Sequence, residues 1–243
     1  MIKVILHITK AIIVVITSLM FLSCGFDFKR VDGDGNVVTK ERKLTGDFTK
    51  VSAGNGLEVI IEQGNGYMVT IEADQNLHEH IITEVKGDEL EIKADVNIGN
   101  ATAKKVIVRL PKVESIESGS GCTVSSRNTL KADSILLSSG SGSTLTVAIE
   151  AKNATVESGS GSSLIVTGRT ENLTTDSGSG STLNARGLTA KEVKAEASSG
   201  STTVVNATDD LDANASSGAS INYVSTPSSL SKKSSSGGSV GQE

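Results

Sequence analysis

The sequence has 243 residues, a formal net charge of −5 and an isoelectric point near 5.3. This acidity argues against nucleic acid and against anionic membrane surfaces as partners, because both need clustered Lys and Arg. Aromatic residues make up only 2% of the chain and Trp is absent, which excludes a core built on large rings. Such a chain must bury many small side chains, and stacked β-strands do so.

Residues 1–24 have the features of a signal peptide. Two lysines supply the positive region, and the mostly apolar run of residues 11–22 has the usual length of a signal-peptide core. The run ends in Phe21-Leu22-Ser23-Cys24, which resembles a bacterial lipobox. We therefore predict a lipoprotein signal peptide with the lipid on Cys24; an uncleaved signal anchor is the alternative. Lipidation would leave Cys122 alone, so no intramolecular disulfide is expected.

The next segment, residues 25–43, is polar and contains glycine, so we predict a tether. Its Asp32-Gly33-Asp34-Gly35-Asn36 run has the alternate spacing of the start of a calcium loop. However, the position that needs a bidentate Glu is occupied by Lys43. A solvated tether without a metal is therefore the prediction.

Residues 44–112 show the short alternating apolar runs of half-buried strands. Residues 57–61 form one such run, and a later run ends at Pro111, which cannot donate to a ladder. His78 and His80 lack the third ligand that a zinc site needs. We predict that they are solvated loop residues and that no metal site is present.

The second half of the chain repeats a Ser-Gly motif with a period of about 20 residues. Its leading glycines are residues 119, 140, 159, 178, 200, 218 and 237. A fixed period of this size indicates a stacked solenoid, and apolar columns two residues apart have the strand period. The sequence thus predicts an all-β fold, a right-handed parallel β-helix over residues 113–225. The strands of residues 44–112 would cap one end, and residues 226–243 would form a polar C-terminal cap or tail.

The serine before each leading glycine shares the parity of the apolar columns and is predicted to point inward. These serines are Ser118, Ser139, Ser158, Ser177, Ser199, Ser217 and Ser236. Their hydroxyls, stacked at a strand spacing of about 4.8 Å, are expected to bond to one another or to corner carbonyls. The adjacent glycines are expected to adopt the positive φ of a tight corner. Cys122 falls in a column of serines and is predicted to replace a Ser without acting as a nucleophile.

Several stretches of the chain resemble a known family. They are the opening Phe48-Thr49-Lys50-Val51-Ser52-Ala53-Gly54, the strand from Leu57 to Ile61, the strand from Val106 to Pro111 and the Gly-Ser-Gly coils. Together they are similar to the head domain of the auto-transporter adhesins, over about residues 44–225. The resemblance implies a cell-envelope protein of the kind common in Bacteroidetes, usually a lipoprotein, and it carries no catalytic residues.

The outward position two residues before each leading glycine is acidic at Glu117, Glu157 and Asp176. Stacking would bring Glu157 and Asp176 within one strand spacing, as a carboxylate pair that could hold calcium. A solvated face is the alternative for such like charges. These three residues are our candidate binding residues.

Cleavage of a polysaccharide would need a base, a charge clamp and usually aromatic sugar platforms. Four basic residues, Arg109, Arg127, Arg169 and Arg186, show no pairing with carboxylates at a repeated column, and no His lies within the solenoid. We therefore predict a non-enzymatic, lipid-anchored protein of the outer membrane. It would be an adhesin-like module that presents a polar face to a glycan or protein ligand, needs no cofactor and binds no nucleic acid. The alternatives are a periplasm-facing scaffold and a carbohydrate-active enzyme that uses Glu157 and Asp176.

Overall fold

The structure, a computed structural model, describes residues 29–243, and its compact unit is Val31–Glu243. The predicted signal peptide and Cys24 lie outside the described residues. The described chain is almost entirely β-strand, with one turn of 3₁₀-helix at Gln75–Leu77. None of its helical segments is long and apolar enough to cross a membrane.

The strands follow one another with short turns between them. In chain order they are β1 (Arg30–Val31), β2 (Val37–Arg42), β3 (Lys50–Ala53), β4 (Glu58–Gln63), β5 (Met68–Asp74), β6 (Ile81–Lys86), β7 (Glu89–Ala94), β8 (Asn97–Ile98), β9 (Lys104–Leu110), β10 (Ser115–Ser118), β11 (Thr123–Ser126), β12 (Leu130–Ser139), β13 (Thr144–Ser158), β14 (Ser163–Ser177), β15 (Thr182–Ala197), β16 (Thr202–Ala215), β17 (Ser220–Tyr223), β18 (Ser229–Ser234) and β19 (Ser239–Gln242).

Two parallel ladders run from the N-terminal strands to the last coil. One ladder joins β7, β3 and β10 to the second halves of β12–β16 and then to β18. The other joins β9, β4 and β11 to the first halves of β13–β16 and then to β17 and β19. At the N-terminal end, β6 pairs antiparallel with β7, while β5 and β2 extend the second ladder antiparallel. The predicted all-β parallel solenoid is confirmed.

Each coil of the repeat turns at a residue pair in which both φ angles are positive, as in a type I′ turn. In the first turn, Ser120 and Gly121 have φ values of 48° and 71°. The Cys122 N–H closes the turn with a 3.1 Å hydrogen bond to the Gly119 carbonyl. The leading glycine was predicted to carry the positive φ. This is wrong for the first four coils, where the leading glycine, such as Gly119, precedes the two left-handed residues, and it is confirmed at Gly200, Gly218 and Gly237, whose φ values are 70°, 74° and 78°. Ser198 can therefore take the leading position in a later coil.

The later coils align two residues away from the predicted register. Ser177 lies opposite Ala197, and Ala197 lies opposite Ala215. The buried serine column therefore continues as alanine. The serines predicted to follow Ser177 inward instead occupy exposed, positive-φ turn positions; they are Ser199, Ser217 and Ser236. Because two residues is the strand period, the slip moves these serines into the turns but leaves the inward and outward faces of the strand residues unchanged.

One coil of the same kind precedes the Gly-Ser repeats. Asn55 and Gly56 have φ values of 64° and 68°, and the Gly56 N–H donates a 3.0 Å hydrogen bond to the Ser120 carbonyl. The flanking strands β3 and β4 stack in register on β10 and β11. This coil was not predicted from the sequence because Asn, which tolerates the left-handed region, replaces Ser.

The buried serines make the predicted hydrogen bonds. The Ser143 hydroxyl donates to the Ser118 carbonyl at 2.7 Å and lies 3.0 Å from the Ser139 hydroxyl oxygen. The Ser118 hydroxyl itself has no partner, because Cys122 stands where the later coils have a serine. Burial raises the pKa of the Cys122 thiol, which disfavours the reactive thiolate. Cys122 therefore fills a serine position in the core, as predicted.

Most of the predicted tether that the structure describes is bound to the sheet. Strand β2 pairs along its whole length with β5. The carboxylate of Asp74, at the end of β5, is fully buried and accepts backbone hydrogen bonds from Gly35, Thr102 and Ala103 at 3.0, 3.2 and 2.9 Å. The solvated-tether prediction is thus wrong for residues 31–42, because distant backbone groups that a local pattern cannot reveal bind this segment.

The two histidines have different surroundings. His78 is only 4% exposed, and its Nε2 lies 3.0 Å from the Val38 carbonyl oxygen. A carbonyl can only accept, so Nε2 carries the proton. His80 lies 2.9 Å from a carboxylate oxygen of Asp95. The prediction of solvated histidines is therefore wrong for His78, which links β2 to the 3₁₀ turn.

Candidate functional site

The predicted acidic residues stack on the outward side of one ladder. Glu157 lies directly opposite Asp176 in the parallel register, so their predicted adjacency is confirmed. Glu117 does not join them, because Ser138 lies between Glu117 and Glu157. Glu196 lies opposite Asp176 on the other side. Glu196 was not predicted to join this column because the predicted register of the fifth coil was wrong by two residues.

This acidic column has an open, solvated environment. The side chains of Glu157 and Asp176 are exposed, and Glu196 pairs with Lys194 at 3.0 Å. Among the described residues, no group of three or more His, Cys, Asp or Glu side chains is arranged to hold a metal ion. The column therefore offers an acidic stripe on a sheet surface and no enclosed pair of carboxylates.

A concave feature lies along the bend between the two halves of the long strands. It is a groove of about 800 Å³ that crosses successive coils. Its floor is a column of small residues in register, namely Ala132, Ala151, Thr170 and Ala190. Small side chains make the bend concave because they leave room between the longer side chains on either side. We call this feature the lateral groove.

One wall of the lateral groove belongs to a ladder of alternating charge, in which Glu150 and Arg169 line the groove and Lys131 continues the ladder beside it. Lys131, Glu150 and Arg169 occupy the same position in successive coils. The Lys131 ammonium lies 3.5 Å from Glu150, and Arg169 donates a hydrogen bond to the same carboxylate. That bond from Arg169 holds the pKa of the Glu150 carboxyl below its usual range, so this carboxylate is ionised at neutral pH. This finding corrects the prediction that the arginines have no carboxylate partner in a repeated column.

The opposite wall also carries alternating charges, and in three successive coils their sign is opposite to that of the first wall. Its residues are Asp133, Lys152, Glu171 and Lys191. Lys191 and Glu171 lie 3.5 Å apart. In each of three successive coils, one wall carries a positive side chain and the other a negative one; the pairs are Lys131 with Asp133, Glu150 with Lys152, and Arg169 with Glu171. The wall that carries the positive charge alternates from one coil to the next. A ligand in the groove would meet paired positive and negative groups at the coil spacing of about 4.8 Å.

A smaller recess of about 490 Å³ adjoins the lateral groove at Asp133. Glu114 on its rim accepts hydrogen bonds from Lys112 at 2.5 Å and from the Thr49 hydroxyl at 2.8 Å. The Lys112 bond is the main cause that lowers the pKa of the Glu114 carboxyl. Leu136 lines the recess with a residue exposure of 37%. The concave surface therefore continues toward the first coil and gains one apolar contact there.

Arg109, Arg127 and Arg186 also have carboxylate partners. Glu62 accepts from Arg109 at 3.0 Å and from Arg127 at 2.6 Å, while Arg186 reaches Glu243 at 2.5 Å. The two Glu62 pairs tie neighbouring strands together, while the Arg186–Glu243 pair joins residues that are 57 apart in the sequence. None of these residues lines the groove. The signal for the lateral groove was present in the sequence as Lys131, Glu150 and Arg169 at intervals of 19 residues.

Comparisons with known proteins agree on this architecture. The family described as "Putative auto-transporter adhesin, head GIN domain" matches residues 47–227. A solved "putative adhesin" from Bacteroides fragilis has a TM-score of 0.81 and 20% identity, over 88% of this chain and 100% of its own. No curated protein matches the sequence.

Two further solved structures share the fold. A "putative lipid binding protein" from Parabacteroides distasonis has a TM-score of 0.71 and 19% identity, over 88% of this chain and 100% of its own. A "putative adhesin" from Parabacteroides merdae has a TM-score of 0.70 and 15% identity, over 88% of this chain and 99% of its own.

Proposed function

Because this chain belongs to the auto-transporter adhesin head family, we propose that it is a non-enzymatic, adhesin-like module of the cell envelope. Its lateral groove is the binding site, and its ligand is a glycan or a protein that presents hydroxyl or mixed charged groups. The observation that carries this proposal is the pair of oppositely ordered charge ladders beside a small-residue floor.

The architecture supports recognition by side chains. The backbone groups of the groove strands are already engaged in the ladders between coils, so a ligand meets the fixed side-chain array. Groups held on rigid strands lose little freedom on binding, which favours affinity. Exposed ion pairs contribute little to stability, so these charges are free to serve recognition.

Binding by the lateral groove can be tested on glycan and protein arrays with the soluble domain, residues 25–243. The groove variant is Lys152→Ala with Arg169→Ala, and the matched control is Lys93→Ala, which removes a lysine paired with Glu91 on β7. We expect to find a ligand that binds the native domain and the control variant but does not bind the groove variant. Equal binding by all three would exclude the groove, and no ligand on either array would contradict the binding function.

We also propose that the domain is held at the outer membrane by a lipid on Cys24. The supporting observation is the apolar segment that ends at this cysteine. In cells fed a labelled fatty acid, the native protein should carry the label, and Cys24→Ser should carry none. Label on Cys24→Ser, or its absence from the native protein, would contradict lipidation at this residue.

A further inference from the structure

The residues predicted to form a C-terminal cap or tail form a complete last coil that differs from the coils before it. The inward positions of the preceding coil are apolar: Leu211, Ala213, Ala215, Ile221 and Tyr223. The positions opposite them in β18 and β19 are Leu230, Lys232, Ser234, Val240 and Gln242. Three of these five are polar, so the inward surface changes from apolar to mostly polar within one coil.

Lys232 is the charged residue at these inward positions. It lies opposite Ala213, which is fully buried. Its ammonium lies 3.2 Å from the Tyr223 hydroxyl and 5.2 Å from the centre of the Tyr223 ring. A cation over an aromatic face is favourable while the ammonium also reaches water. Lys232 thus covers the end of the core and keeps its charge on the open side.

The strands of this coil have one free edge each. In the described chain, β18 pairs with β16 and β19 pairs with β17. Unpaired edges of this kind are templates for strands of another chain. The most direct occupant is a second copy of this chain, since its own ladders have the same spacing and could continue both sheets.

We infer that Lys232 prevents a second copy of this chain from stacking on the last coil. Stacking would bury the Lys232 ammonium, and a buried charge without a partner is strongly unfavourable. In a tail-to-tail arrangement it would meet the same lysine of the second copy.

In a head-to-tail arrangement, Lys232 would meet the edge strands β2 and β6. The inward positions of these strands follow from their pairing with buried residues of β5 and β7; they are Val38, Lys40, Arg42, Ile81, Thr83 and Val85. None of these side chains is a carboxylate, so neither arrangement supplies a partner for the ammonium. Inward-pointing charge at a sheet end is an established means of blocking edge-to-edge association.

Sedimentation velocity of the soluble domain over a range of concentrations tests this inference. The native domain should remain monomeric. Lys232→Met keeps the aliphatic stem over Tyr223 and removes the charge, so its weight-average mass should rise to about twice the monomer value or more. Lys233→Met is the matched control, because Lys233 lies opposite the exposed Asn214 on the outward side, and it should remain monomeric.

Lys232→Arg keeps the charge and should also remain monomeric. Circular dichroism on every variant shows whether the fold is retained. If Lys232→Met fails to fold, Lys232→Gln removes the charge with a polar side chain and should associate in the same way. A folded, charge-free variant that stays monomeric at all concentrations would overturn the inference, and so would association of the native domain through this end.

Discussion

The hydroxyl of Ser162 donates a 2.7 Å hydrogen bond to the carbonyl oxygen of Ser139, one coil earlier. It also lies 3.1 Å from the Ser158 hydroxyl oxygen, and the Ser162 residue is 3% exposed. Ser162→Ala should lower the free energy of unfolding by about 1–2 kcal/mol, because the buried Ser158 hydroxyl and Ser139 carbonyl lose this hydrogen-bond partner. Ser163→Ala, on the outward side of the same coil, should change it by less than about 0.5 kcal/mol. Urea unfolding of both variants measures the difference, and equal effects would contradict the role of the serine column.

The two glycines of one corner motif should respond differently to substitution. Gly161 has a φ of 68°, while Gly159 is not among the positive-φ residues, and an added Cβ would meet no atom within 4 Å at either position. Gly161→Ala should therefore cost about 1–2 kcal/mol of unfolding free energy through backbone strain alone. Gly159→Ala should be neutral or slightly stabilising. The reverse order in thermal unfolding would contradict the assignment of the turn.

The attachment of β2 should weaken in acid. Burial disfavours the Asp74 carboxylate, but backbone N–H groups of Ala103, Gly35 and Thr102 outweigh that cost and hold its pKa below the usual range. A lowered native pKa gives stability that is complete above the unfolded value of about 3.9 and is lost as pH falls through the native pKa.

Hydrogen exchange of the β2 amides measures this attachment. We expect faster exchange of Val37–Arg42 in Asp74→Asn than in the native chain near neutral pH, because the amide cannot accept all three bonds. Asp47→Asn, an exposed control, should match the native chain. A β2 that exchanges equally slowly in both variants would contradict the anchoring role of Asp74.

The acidic column should contribute no catalysis. Glu157 and Asp176 are exposed on the sheet surface, where no enclosed cleft would hold a substrate between them. The double variant Glu157→Ala with Asp176→Ala should leave the turnover of polysaccharides unchanged from that of the native domain. Release of sugars by the native domain that disappears in this variant would instead support the carbohydrate-active alternative.

Much of the fold could be predicted because the repeat indicates directly which side chains point inward and how many residues make up one coil. The parity of Ser118 with the apolar columns placed it in the core, where it lies. The turn geometry was less accessible, since Ser and Gly alternate in the motif and either glycine could have carried the positive φ. The predicted register is wrong from Gly200 onward because Ser198 replaces the leading glycine of that coil. For this reason, the position of Glu196 opposite Asp176 was not predicted.

The lateral groove could not be predicted from the Gly-Ser motif alone. Its residues lie at the far bend of each coil, where no fixed glycine marks the column. Lys131 and Glu150 lie opposite each other only because they are 19 positions apart, which is the length of one coil. The Asp74 contacts depend on backbone groups 28–39 residues away, which a local pattern does not encode.

We propose that this domain is an adhesin-like module, and an adhesin must face outward. Protease treatment of intact cells, followed by detection with an antibody against the solenoid, tests this directly. We predict that the domain is removed from intact cells while a periplasmic control protein stays whole. Digestion of the domain only after lysis would contradict the adhesin-like account and favour a scaffold that faces the periplasm.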